Sequence, residues 1–82
     1  MRNPEPEADT SRAETLTAAL IYLMTHYART GCPRLAMCVS RHMQCLALHP
    51  DAAPVVRDIC SGLHGAWHEA AIGATRARAA LH

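Results

Sequence analysis

The sequence predicts an all-α protein, a three-helix up-down-up bundle, and three observations carry that expectation. Apolar residues recur at spacings of three and four, and no run alternates with the two-residue period of a strand. Prolines and one glycine divide the chain into three periodic segments. The expected helices span about 12–30, 33–48 and 52–80. Residues 1–10 are expected to form a flexible acidic, proline-bearing tail, and 11–82 a single helical domain.

The tail is assigned on Pro4 and Pro6, which interrupt helix, and on the absence of residues worth burying. Ser11 and Glu14 then form a capping box, with serine at the N-cap and glutamate three residues later. Leu16, Leu20, Leu23 and Tyr27 follow on one helical face, and Gly31 supplies the C-cap. Pro33 opens the second helix, where its missing N–H is no loss. Its buried stripe is Leu35, Val39 and Leu46, and it stops at His49 because Pro50 disfavours helical geometry there. Asp51 is the expected N-cap of the third helix. Val56, Cys60, Leu63, Trp67, Ala70, Ala74, Ala77 and Leu81 then step by four and three without a break. The expected core joins Leu16, Leu20, Leu23, Tyr27, Leu35, Val39, Leu46, Val56, Ile59, Leu63 and Trp67.

Half of the chain is hydrophobic but only 4% is aromatic, so the core is aliphatic and small. Eighty-two residues bury too little for more than a few kcal/mol of net stability at roughly 25 cal/mol per Å². A metal, a staple or a second subunit is therefore expected to help. All eight basic residues are arginine and about a fifth of the chain is alanine, a composition from which a GC-rich bacterial genome is expected. The net charge of +1 provides no strong field toward nucleic acid or membrane. The N-terminus lacks the apolar segment of a signal peptide, and the longest apolar run is too short to span a bilayer. A cytoplasmic protein with reduced thiols is expected.

Cys38, His42, Cys60 and His64 are the candidate metal ligands. "CVSRH" and "CSGLH" each place a cysteine and a histidine one turn apart, and an antiparallel hairpin turning near 50–51 brings the two pairs level. Two cysteines and two histidines suit tetrahedral zinc. Against this, no Cys-x₂₋₄-Cys knuckle exists, and Cys38 and His42 lie about 60–80° from the apolar centre of their helix. Cysteine is in any case at home on the flank of a core. The bland reading outweighs zinc, and no cofactor is expected.

Catalysis has less support. Beyond residue 15 the only carboxylates are Asp51, Asp58 and Glu69, unpaired for acid–base work, and there is no phosphate-cradling loop. No enzyme is expected. Arg29, Arg34 and Arg41 form the one candidate anion-contact face, within an acid-free span from 15 to 50. A nucleic-acid-binding regulator ranks low, because the third helix has few side chains for base edges.

The function expected is association, with itself or with a protein partner, as an adaptor or regulatory subunit. A metal-binding or thiol-sensing module is the alternative. The third helix outruns its neighbours by about ten residues while keeping its seam. It is therefore expected to join a homodimer through Ala70, Ala74, Ala77 and Leu81, flanked by Arg76 and Arg78.

Overall fold

The computed structural model describes residues 4–81, and the side chains of 12–77 among them. Three helices account for nearly all of this: α1 (Pro4–Thr30), α2 (Pro33–Ala47) and α3 (Pro54–Leu81). The fold is the all-α three-helix bundle that the periodicity predicts, and no described residue is in a strand.

The first boundary differs most. Helix α1 begins at Pro4 rather than at residue 12, so 4–10, expected as tail, continue the helix and Ser11 is not its cap. Proline is tolerated there because the first turn's N–H groups have no intrahelical partner, and acids near a helix start interact favourably with its dipole. Residues 1–3 of the expected tail lie outside the described residues.

Gly31 ends α1 as predicted. It takes φ 68° and donates its N–H to the Tyr27 carbonyl at 2.7 Å. Cys32 follows in extended geometry as the N-cap of α2, its carbonyl accepting from Leu35 and Ala36, with Pro33 the first helical residue. The same device starts α3. Ala53, not Asp51, accepts the first helical hydrogen bond, from Arg57 at 3.0 Å, and Pro54 occupies the first position. Proline's preference for that position outweighs the aspartate cap, and Asp51 instead sits in the preceding turn. There its N–H donates to His49 Nδ1 at 3.1 Å. Ala52 tucks into the core beneath this turn.

Helix α2 lies between the other two. It packs on both α1 and α3, while among the described residues the α1 and α3 backbones make no close approach. Tyr27 meets Trp67 edge to face at 5.2 Å, and Ala13 lies beside Val56. These two meetings set α1 and α3 parallel, with level residues about 40 apart in number. The outline is long and thin, 59 × 22 × 14 Å. Helix α3 outruns α2 but hardly α1, which is 27 residues long against 28. It passes the level of Thr30 only because α1 is displaced toward the other end, and Thr75 and Arg76 still stand beside Pro33 and Arg34 of α2.

Leu20, Val39, Met43, Leu46, Ala52 and Cys60 form the centre, with Leu16, Leu23, Val56 and Trp67 packed on it. Ser40 is the one buried polar residue among those described, and its hydroxyl donates to the His64 carbonyl at 2.8 Å. Four expected core residues lie outside the core cluster: Tyr27 and Leu35 are half-buried beside it, and Ile59 and Leu63 face solvent. Ile59 is 53% and Leu63 45% exposed, while Ala71 is buried in their stead. Buried Cys60 and Ala71, with His64 bonded to Ser40, mark where α2 approaches α3, a line turned by about 60° from the centre of the apolar stripe. Half of that stripe is left outside. No helix among the described residues is long and apolar enough to cross a membrane.

Candidate association face

The uncovered half of the α3 stripe and the flank of α1 form one continuous apolar face. From α1 it takes Ile21, 61% exposed, whereas Tyr22 lies about 100° further round that helix with its ring against His26 at 4.5 Å. From α3 it takes Val55, Ile59 and Leu63, with Ala66 and Ala70 exposed further along. Between the helices runs an open groove. At the α1 N-terminal side a hollow of about 430 Å³ is walled by Ala13, Thr17, Ala18, Ile21 and Val56, with Glu14 and Asp51 at its rim. A smaller one, about 180 Å³, opens beside Tyr27 and Trp67 toward Ala70.

The cause is local. Helix α1 leans on α2 through Leu16, Leu20 and Leu23, so its next turn of apolar residues, Ile21 among them, points past α2 rather than at α3. Since α1 and α3 each spend their best-packed side on α2, the edges that face each other stay wet. A large exposed apolar patch on a small domain marks an interaction surface more often than scattered single residues do.

The expected interface at the end of α3 lies on the same side of that helix. Ala70 and Ala77 are exposed, Ala74 is half-buried and Arg76 is exposed. The side chains of Arg78 and Leu81 lie outside the described residues. Sequence reasoning missed the Val55–Ile59 part of the face, although its signal was present. A stripe holding Val55, Val56, Ile59, Cys60, Leu63 and Trp67 is wider than one neighbouring helix can cover.

The cysteines and histidines are dispersed. Cys38 and Cys45 are exposed on the outer side of α2, Cys60 is buried, and Cys32 is half-buried at the turn. His42 is held on its own helix, Nδ1 lying 2.9 Å from the Cys38 carbonyl. Ser40, not Cys38, meets His64. Among the described residues no three His, Cys, Asp or Glu side chains are grouped to hold a metal ion. Burial raises the Cys60 thiol above its ordinary pKa of 9.0, which favours the neutral form. Arg29, Arg34 and Arg41 are all exposed, Arg34 beside the end of α3 near Arg76.

Comparison with protein-family models, with curated proteins and with solved structures gives no match.

Proposed function

We propose that this chain acts by association, using the α1–α3 face as its binding surface, and that its first partner is a second copy of itself. The observation that supports this is the coherence of the face. Ile21, Val55, Ile59 and Leu63 stand exposed beside the α1–α3 groove of a domain with a thin core, where burial of such residues in a partner recovers stability the monomer lacks. The proposed surface extends to the end of α3, where the seam Ala70, Ala74, Ala77 and Leu81, flanked by Arg76 and Arg78, is read from the sequence. A cytoplasmic setting is part of the proposal.

Light scattering on size-fractionated protein, paired with binding of an apolar dye, tests it. Either a mass above 8.9 kDa at micromolar concentration or dye binding that Ile59→Asp abolishes is expected. A monomeric mass with no dye bound overturns the proposal, since the face then attracts nothing.

A further inference from the structure

The α1–α3 face is self-complementary about one level of the fold, and that symmetry specifies how a second copy would lie on it. The outer line of α1 reads Glu14, Ala18, Ile21, Thr25, Arg29, all exposed. Ile21 stands at its midpoint, small residues on either side, and opposite charges at its ends. Glu14 and Arg29 are separated by about 22 Å of helix. Among the described residues neither is held by an ion pair or hydrogen bond within the chain. The midpoint lies at the level of Ile21. At the matching level of α3, set by the Tyr27–Trp67 contact, Ile59 and Leu63 stand on either side of the same midpoint.

Ile21 on α1 and the Ile59–Leu63 pair on α3 thus share one centre. A two-fold axis crossing the helices there lays α1 antiparallel on its own copy. It sets Ile21 beside its own copy, Ile59 against Leu63 and Ala18 against Thr25 of the opposite chain, and joins unlike charges at both ends. A parallel arrangement places Glu14 on Glu14 and Arg29 on Arg29, which repels. Closed two-fold contacts of this kind pair each residue i with j and j with i.

Resting on the association reading above, we infer that a second copy of this chain covers the α1–α3 face by an antiparallel α1–α1 contact in which Glu14 meets Arg29 of the partner subunit. Charge reversal tests it without touching the core. Glu14→Arg and Arg29→Glu each turn two symmetric attractions into repulsions, and each is expected to raise the dimer dissociation constant by roughly tenfold at low salt. The double variant restores both contacts in exchanged order. An equimolar mixture of the two single variants restores them as a heterodimer. At one end of that heterodimer the arginine substituted at position 14 faces the glutamate substituted at position 29. At the other end the unchanged Glu14 and Arg29 meet.

Expected masses by light scattering are twice 8.9 kDa for wild type, the double variant and the mixture, and a lower average for each single variant. Circular dichroism shows that every variant keeps its helix content. A wild-type mass of 8.9 kDa with dye still bound overturns the second copy, yet leaves association with another protein standing. A doubled mass that ignores both single substitutions, or that neither the double variant nor the mixture restores, overturns the antiparallel contact alone.

Discussion

The Ser40 hydroxyl reaches the main-chain oxygen of His64 at 2.8 Å and is the side-chain hydrogen bond that ties α2 to α3. Ser40 is 2% exposed, so its hydroxyl would be unsatisfied without that carbonyl. The bond therefore sets the level at which the two helices meet. Ser40→Ala removes it while leaving His64 its own helical partner. The expected cost is about 1 kcal/mol, partly offset by the better helix propensity of alanine. For a domain of this size that lowers the melting temperature by about 4–8 °C per kcal/mol. A melting temperature unchanged from wild type would refute the role given to this bond.

Burial separates two leucines that periodicity alone treats alike. Leu46 is fully buried and Leu63 is 45% exposed on the open face. Leu46→Ala is expected to cost about 2–5 kcal/mol, enough to unfold most of the protein, and Leu63→Ala less than about 1 kcal/mol in the monomer. Trp67 is only half-buried, so Trp67→Ala falls between them at about 2–3 kcal/mol, including the lost edge contact with Tyr27. Denaturant titration of the three variants gives the order, and Leu63 costing as much as Leu46 would mean that α3 is rotated the other way.

Thiol labelling should proceed in two stages. Cys38 and Cys45 are exposed and react first, and half-buried Cys32 follows; the turn position alone suggests Cys32 would lead. Cys60 is buried and its thiol is held neutral, so it reacts only when the protein opens. Timed labelling with mass detection reads the order directly. Early modification of Cys60 would show that the core is open at α3.

The same thiol makes stability depend on alkaline pH. Its folded pKa lies above the ordinary 9.0, so the folded state keeps the proton longer than the unfolded chain does. The contribution is fully present below about pH 9 and is lost as pH rises through the folded value. Stability of wild type is expected to fall over that range more steeply than that of Cys60→Ala, measured by denaturant midpoints. Parallel pH profiles would remove Cys60 as the cause.

Protein purified without chelator is expected to carry much less than one zinc per chain, because Cys38 faces solvent while Cys60 is buried. Elemental analysis decides this. Near-stoichiometric zinc that disappears in Cys38→Ser would revive the Cys38, His42, Cys60, His64 site.

Helix count, order and the two tight turns were legible in the residues, because each rests on chemistry local to a few positions. Gly31 can adopt positive φ, Pro33 and Pro54 can open helices without an N–H, and apolar spacing marks a face wherever the helix sits. Local chemistry was less decisive at the ends. Ser11–Glu14 and Asp51 each have the residues of a cap, but a nearby proline offered another start, at Pro4 and at Pro54, and the structure takes it. What the sequence could not determine is which part of a broad apolar stripe becomes core. Ile59 and Cys60 are neighbours on α3, yet the first is 53% exposed and the second 3%, because α2 sits about 60° round from the stripe's centre. That rotation, and the gap it leaves between α1 and α3, come from all three helices competing for one layer of contacts. Only the packed tertiary structure settles such a competition, and it is what turns Ile59 and Leu63 from interior into surface.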